Sequence, residues 1–295
     1  MALLERQGWP TSSLAPPAPA RARRRRANLP LVVGAALVAC IAASAALAPW
    51  LAPRDPTAID PAARLLPPGP GHPLGTDRLG RDVLSRILYG GRVAVVVGAV
   101  AVAIGAGVGV TLGLVSGYRA GRLDALLMRV VDGLMAFPAL LLAILVVASL
   151  GPGHVQAMTA IGIVLIPVFA RLARAQALAA RAQEFVLAAR AVGARDLRII
   201  AVHILPNIAG PLLIQATVAF SGAVLAEASL SYLGLGTQPP TPSWGGMLQE
   251  ARDVLFVGAW MAVWPGVAIA AAVLGWNLLG DGLRDLLDPR LRRGT

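Results

Sequence analysis

Residues Val93–Tyr118 read VAVVVGAVAVAIGAGVGVTLGLVSGY and contain no charged side chain. About 20 apolar residues in a helix cross the roughly 30 Å of hydrocarbon in a bilayer, so this stretch is long enough to span a membrane. It also carries glycines at steps of four, which fall on one face of a helix and let a second helix approach closely. These glycines are Gly105, Gly109, Gly113 and Gly117. We expect a static packing face, with a moving helix contact as the alternative.

Other uncharged stretches extend this pattern along the chain. They are Ala27–Pro53, with a span at about 31–51, then Gly133–Ala170, Ile199–Ala226 and Val254–Gly280. The stretch from Gly133 is long enough for a hairpin of two spans, broken at Gly151-Pro152-Gly153-His154. Segment 228–249 is also uncharged, but its many glycines and prolines would leave backbone groups unpaired in lipid, so we expect a loop outside the membrane. The predicted fold class is all-α, a polytopic membrane protein with six transmembrane helices.

The composition agrees with this prediction. Hydrophobic residues make up 57% of the 295 residues and charged residues only 14%, with a mean hydropathy of +0.70. Soluble proteins carry about 25% charged residues. All 26 basic residues are arginine, so the lysine of a Walker A loop is missing and we expect no ATPase site in this chain. A single cysteine, Cys40, excludes an internal disulfide and a cysteine-built metal site.

The distribution of arginine predicts the orientation. Six spans put both termini on one side, and cytoplasmic loops carry the excess of positive charge. With both termini inside, the cytoplasmic segments hold 19 arginines and the external ones seven. We therefore expect a multi-pass membrane protein with cytoplasmic N- and C-termini.

The N-terminal region allows two interpretations. Residues 21–26 and the apolar stretch up to Ala46-Leu47-Ala48 resemble a secretory signal with a cleavage site, but the apolar stretch is longer than a signal core. We expect it to be retained as the first span, and cleavage is the alternative. The predicted regions are a disordered basic tail (1–28), a first span with an external segment (29–90), a five-helix core (91–281) and a cytoplasmic C-terminal tail (282–295).

A long cytoplasmic loop, about residues 178–206, separates the fourth and fifth spans. Its sequence from Glu184 to Asn207 reads EFVLAARAVGARDLRIIAVHILPN. Helix formers run up to Val192, Gly193 suits a helix C-terminus, and Asp196 can cap a second short helix up to Pro206. The loop is therefore predicted to be a helix–turn–helix large enough to dock another protein.

This loop resembles the EAA loop of ABC-importer permeases, in which Glu-Ala-Ala, glycine and Leu-Pro recur at fixed spacing. Ala188-Ala189, Gly193 and Leu205-Pro206 match, whereas Leu187 replaces the glutamate and His203 replaces an isoleucine. The peptide-type permeases have similar motifs elsewhere. The matching stretches are HPLGTDRLGRDVLSRI (72–87), EASLSYLGLG (227–236), PSWGGM (242–247) and GDGLRDLLDPR (280–290).

The resemblance implies a type I ABC-importer permease fold, a location in the bacterial inner (plasma) membrane and half of a translocation pathway for di- or oligopeptides. It implies as partners a second homologous permease subunit, two cytoplasmic ABC ATPases that bind ATP and Mg, and an external solute-binding protein. The chain itself would hold no cofactor. The residues implied in coupling to the ATPases are Glu184, Ala188, Ala189, Arg190, Gly193, Asp196, His203, Leu205 and Pro206.

The remaining charged residues have structural explanations beside functional ones. Arg129 and Asp132 lie three apart on one helical face, and we expect them to neutralise each other. Glu227 either lines the pathway or meets the solute's charge, or else it snorkels or caps a loop. The three histidines, at 72, 154 and 203, fall in different segments, so we expect no metal site, and no arrangement of residues suggests a catalytic site.

Three alternative functions remain to be compared with this one. The same family imports nickel, glutathione and other small solutes, which the sequence does not distinguish from peptides. A secondary transporter driven by an ion gradient needs ionisable groups deep in its spans, which are nearly absent here. A nucleic-acid-binding role is excluded because the arginines flank the spans instead of forming one soluble face, while contact with membrane lipid is expected.

Overall fold

The chain is seen in a computed structural model that describes residues 20–287, with side chains from residue 29 onward. Its α-helices are α1 (Ala20–Ala46), α2 (Ala48–Leu51), α3 (Val83–Arg119), α4 (Gly121–Met135), α5 (Ala139–Leu150), α6 (His154–Ala180), α7 (Glu184–Ala191), α8 (Asp196–Arg198), α9 (Leu205–Tyr232), α10 (Trp244–Ala251) and α11 (Trp260–Leu287). Two 3₁₀ turns, Pro61–Ala63 and Arg252–Val254, and a π-helical turn, Ile199–Ile204, join them. The predicted all-α fold class is confirmed.

Within the described range, five helical stretches are long and apolar enough to cross a membrane. They are Leu29–Ala46, Val83–Arg119, His154–Ala180, Asp196–Tyr232 and Trp260–Leu287. Helices α4 and α5 qualify only as a pair, which is bent by 90° and would make a sixth span. The six predicted spans therefore correspond to five long helices and one broken pair.

The third predicted span has a different form from the prediction. The first helix of the predicted hairpin is expected to run without a break from Gly133 to the turn at Gly151. In the structure, α4 ends at Met135 and α5 begins at Ala139. Pro138 lies between them and starts the new helix, because proline has no N–H to continue the preceding one. With 12 residues, α5 is about 18 Å long and is too short to cross a bilayer alone.

Other helix ends are also shifted. The first span ends at Ala46 instead of Leu51, and the last one begins at Trp260 instead of Val254 and continues to Leu287. The predicted loop 228–249 is shorter, since α9 extends to Tyr232 and α10 begins at Trp244. Ser243 starts α10 because its hydroxyl accepts a hydrogen bond of 3.1 Å from the amide of Gly246.

The predicted terminal regions lie mostly outside the described residues. Of the basic tail, residues 1–19 are outside, and α1 already begins at Ala20. Of the C-terminal tail, residues 288–295 are outside, and the preceding residues belong to α11.

The glycine face of α3 packs directly on α6. A Cβ atom at Gly109 would lie 2.5 Å from the carbonyl oxygen of Ile166, and one at Gly117 would lie 2.5 Å from that of Arg174. Gly105 and Gly113 meet α6 in the same way. Two backbones touch here without intervening side chains, as small residues allow in membranes. Helices α1 and α11 meet similarly, with Gly275 facing Leu37 of α1.

Three apolar clusters form the core. One joins α3, α5, α6 and α9 around Val97, Val147 and Leu230, and a second lies among α3, α9, α10 and α11. In the second, the rings of Phe220 and Trp276 stack with their centroids 3.9 Å apart. The third joins the ends of α3 and α6 to α7 and the π-helical turn, and this cluster positions the candidate functional site.

Candidate functional site

The segment predicted to dock another protein is the helix–turn–helix formed by α7 and α8, together with the π-helical turn that continues α8. It is named the docking element after that prediction. Helix α7 ends in a turn in which Gly193 donates to the carbonyl of Arg190 at 3.0 Å and Ala194 donates to that of Ala189 at 3.1 Å. Gly193 has φ of 81°, a conformation that glycine adopts without a steric penalty. Among the residues that the structure describes, none besides its two chain neighbours has an atom within 4 Å of where its Cβ would be, so the constraint at this position is backbone conformation and not space.

The docking element has an apolar inner face and an apolar outer tip. Val186, Ile199 and Ile204 are completely buried against the ends of α3 and α6. In contrast, Val192 is 85% exposed and Leu197 is 78% exposed on the two sides of the turn. Exposed aliphatic side chains on a rigid support are typical of a surface that another protein covers.

Tyr118, at the end of α3, ties the two helices of this element together. Its hydroxyl donates to Oδ1 of Asp196 at 2.9 Å and accepts from Nη2 of Arg190 at 3.2 Å. The Arg190 guanidinium also lies 5.5 Å from the centre of the Tyr118 ring. The hydrogen bond from Arg190 to Tyr118 raises the pKa of the Arg190 guanidinium above its ordinary value. Movement of α7 and α8 is thus linked directly to α3.

Two details of this segment differ from the prediction. Asp196 is the first residue of α8, not its cap, and its carboxylate accepts from Tyr118 instead of from the helix backbone. The second helix does not stop at Pro206, because the stretch from Asp196 to Tyr232 is continuous. Pro206 lies inside this continuous stretch, as the second residue of α9, directly after a π-helical turn in which the regular α-helical hydrogen bonding is already changed.

The other predicted coupling residues lie around this element. Glu184 begins α7, Ala188 is exposed, and Ala189 is buried against the third cluster. His203 lies in the π-helical turn, and Leu205 is exposed at the start of α9. The residues thus form one continuous region at one end of the bundle.

A buried ion-pair cluster lies at the opposite end of α3. Nε of Arg81 donates to Asp77 at 2.6 Å, and its Nη2 donates to Oε2 of Glu250 at 2.6 Å. The side chain of Arg86 is 3% exposed and lies 3.4 Å from Asp77 and 3.1 Å from Glu250. Two arginines and two carboxylates neutralise one another and fasten the segment before α3 to α10.

Glu227 is 1% exposed and lies beneath the loop that follows α9. Its Oε1 accepts hydrogen bonds from Ser231 at 2.7 Å and from Thr237 at 3.4 Å. Of the roles considered for Glu227, this geometry matches a loop-capping acid, because Ser231 lies at the end of α9 and Thr237 lies in the loop that follows it.

The carboxylates of α4 bind arginines of α6. Asp132 accepts from Nη2 of Arg171 at 2.6 Å, so its expected pairing with Arg129 is wrong. Asp124 accepts two hydrogen bonds from Arg174, at 2.6 and 2.7 Å. Helix α4 lies along α6, so Asp132 is close to Arg171 and Asp124 is close to Arg174.

An open apolar crevice of about 430 Å³ lies on the face formed by α5, α9, α10 and α11. Leu140, Leu225, Tyr232, Leu248 and Ile269 are among its lining residues. The sequence does not reveal these residues as a group, because they belong to four separate helices. Tyr118 was missed for the same reason, since its partner Asp196 is 78 residues away.

These features define the class of the protein: a polytopic membrane protein whose longest helices carry a rigid docking element at one end. Residues 109–293 match the family described as "binding-protein-dependent transport system inner membrane component". Residues 21–68 match the "N-terminal TM domain of oligopeptide transport permease C".

Individual relatives are similar along most of the chain. A dipeptide transport system permease protein of Alkalihalophilus pseudofirmus is 42% identical over 270 residues, covering 92% of this chain and 89% of that one. A protein of the same name from Haemophilus influenzae is 42% identical, covering 90% and 92%. A di/tripeptide transport system permease protein of Pseudomonas aeruginosa is 44% identical, covering 85% of each chain. The chain belongs to the family of binding-protein-dependent transport system inner membrane components.

Proposed function

We propose that this chain is the transmembrane subunit of an ATP-driven importer and forms half of the pathway for di- or oligopeptides. The observation that carries the proposal is the docking element, which exposes Val192 and Leu197 while Tyr118 holds it to α3. A partner protein that binds this exposed tip and displaces it would also displace the membrane-spanning helix α3, because Tyr118 of α3 is hydrogen-bonded to Arg190 and Asp196. The names of the related permeases support small peptides as the solute.

The complete importer would contain a second homologous permease subunit, two cytoplasmic ABC ATPases and an external solute-binding protein. The apolar crevice formed by α5, α9, α10 and α11 is suited to face the second permease, because it is a concave surface that side chains of a neighbouring helix would fill. ATP and Mg would be bound by the ATPases, since this chain has no lysine for a Walker A loop. Both termini would be cytoplasmic, because the arginine excess falls on the side of the docking element.

Reconstitution in proteoliposomes tests this function. With its second permease, ATPases and loaded binding protein, the chain should support ATP-dependent accumulation of a labelled dipeptide, whereas a proton or sodium gradient without ATP should move none. The purified chain should hydrolyse no ATP. Gradient-driven uptake by this chain alone would replace the proposal with a secondary transporter.

A binding measurement tests the docking surface separately. Val192→Asp places a charge on the exposed tip and should weaken capture of the ATPase by the permease. Ile59→Asp is the matched control, because Ile59 is 59% exposed but precedes α3, far along the chain from the docking element. Equal capture of the ATPase by both variants would contradict the assignment of the tip as the docking surface.

A further inference from the structure

A polar cavity of about 420 Å³ lies beside the docking element, distinct from its exposed apolar tip. It is lined by Tyr118, Arg119, Arg181, Arg190 and Asp196. Its volume falls within the usual range of small-ligand sites, about 300–1,000 Å³. The lining residues come from three places in the chain: the end of α3, the residue after α6, and the two helices of the docking element.

The charges of the residues that line this cavity do not balance, although Asp124, outside the lining, also interacts with Arg181. Three arginines face a single aspartate, which leaves two positive charges in excess. Asp196 is moreover engaged already, since its Oδ1 accepts from Tyr118 and its Oδ2 lies 4.0 Å from Arg119. Two of the three guanidinium groups are positioned by hydrogen bonds, because Arg181 donates to the carbonyl of Tyr118 at 3.3 Å and Arg190 donates to its hydroxyl at 3.2 Å, whereas the side chain of Arg119 is 61% exposed. Convergent, pre-positioned guanidinium groups are well suited to phosphate oxygens, which they bind by charge-assisted hydrogen bonds.

The position of the cavity is consistent with such a ligand. It lies where two membrane-length helices, α3 and α6, end, and the buried side chains of Leu114 and Ile208 belong to the apolar cluster next to it. Tyrosine and arginine are characteristic of the headgroup region of a bilayer, where anionic lipids are bound by basic pockets between helices.

We infer that this cavity binds a phosphate-bearing anion between α3 and the docking element, either the headgroup of an anionic phospholipid or free phosphate. A bound phosphate would neutralise the excess charge and bridge arginines of α3, α7 and the α6 end. It would therefore hold the docking element in the position described here. This inference concerns binding by the chain itself and does not require that transport occurs.

Lipid retention by the purified full-length chain tests the inference. Native mass spectrometry would be recorded with phosphatidylglycerol, with phosphatidylcholine and with inorganic phosphate. We expect the chain to retain phosphatidylglycerol or phosphate about tenfold better than phosphatidylcholine, and the double variant Arg119→Gln/Arg181→Gln to lose this preference. Retention of phosphatidylglycerol identifies the lipid as the source, and retention of phosphate alone identifies the free ion.

Two further variants make the result specific. Arg195→Gln removes a neighbouring arginine that does not line the cavity, so this variant should retain the anion like the unaltered chain. Arg119→Lys/Arg181→Lys keeps the charges and should recover part of the binding, provided that both double variants elute as folded protein. No preference for either anion over phosphatidylcholine, or full retention by the folded glutamine variant, would overturn the inference.

Discussion

The hydroxyl of Tyr118 donates a hydrogen bond of 2.9 Å to the carboxylate of Asp196, 78 residues further along the chain. Through this bond and the one from Arg190, the last turn of α3 holds both helices of the docking element. Because α3 also packs backbone to backbone on α6, a displacement of the docking element is passed to two membrane-spanning helices at once.

Tyr118→Phe removes both hydrogen bonds and keeps the ring. We expect a loss of about 1 kcal/mol in stability and a larger fractional loss of ATP-driven transport, because the docking element is then less firmly attached to α3. Thermal unfolding and uptake in proteoliposomes measure the two effects. Tyr89→Phe is the control, since this tyrosine lies at the opposite end of α3 and the change keeps its ring, which lies 5.8 Å from the guanidinium of Arg92. Equal uptake by both variants would show that the Tyr118 hydroxyl has no role in coupling.

Gly193→Val should reduce transport strongly at a normal level of inserted protein. The cause is backbone strain, about 1–2 kcal/mol, because a β-branched residue opposes the positive φ at this position. Gly193→Asn is the matched variant, since asparagine tolerates this conformation and the surrounding space is open. Uptake assays at matched protein levels measure the difference. If valine and asparagine reduce uptake equally, the conformation of this turn is not what matters.

Gly109→Ala should destabilise the protein by about 1–3 kcal/mol, because the added Cβ would lie 2.5 Å from the carbonyl oxygen of Ile166 and push α3 away from α6. Gly107→Ala introduces the same methyl group on the same helix, where no atom lies within 4 Å of it. Thermal unfolding in detergent compares the two. A similar midpoint for both would contradict close packing along this glycine face.

Glu250→Gln should cost about 3 kcal/mol, because it leaves the buried guanidinium groups of Arg81 and Arg86 with only Asp77 to neutralise them. Asp253→Asn breaks the exposed pair with Arg78 and should cost less than about 1 kcal/mol. Unfolding midpoints distinguish these outcomes. The buried cluster has no special importance if the two variants are equally stable.

Reporter fusions test the orientation. A reporter active only outside the cytoplasm should be silent after residue 120 or 190 and active near residue 65 or 243, because the arginine excess predicts that the docking element is cytoplasmic. Alkaline phosphatase activity normalised to protein level is a suitable readout. Activity after residue 190 would place the docking element on the wrong side for an ATPase.

The sequence alone determined the features that depend on nearby residues. The membrane spans can be predicted from uncharged runs, because the backbone N–H and C=O groups of each run must hydrogen-bond to one another in a helix when the run lies in lipid. The turn at Gly193 and the glycine face of α3 follow from spacing within one helix or one loop. The family membership agrees with the motif resemblance because those motifs are themselves contiguous stretches.

Only the tertiary structure decided which residues from distant segments meet. Because residues three apart on one helix are neighbours, Asp132 was expected to pair with Arg129. Helix α4 lies against α6, however, and Asp132 binds Arg171 instead. Glu250 is 169 residues from Arg81, and Tyr118 is 78 from Asp196, so no local spacing could reveal either contact. The break between α4 and α5 lies at Pro138, which is a local signal, whereas the direction of the 90° bend depends on the helices against which the two segments pack.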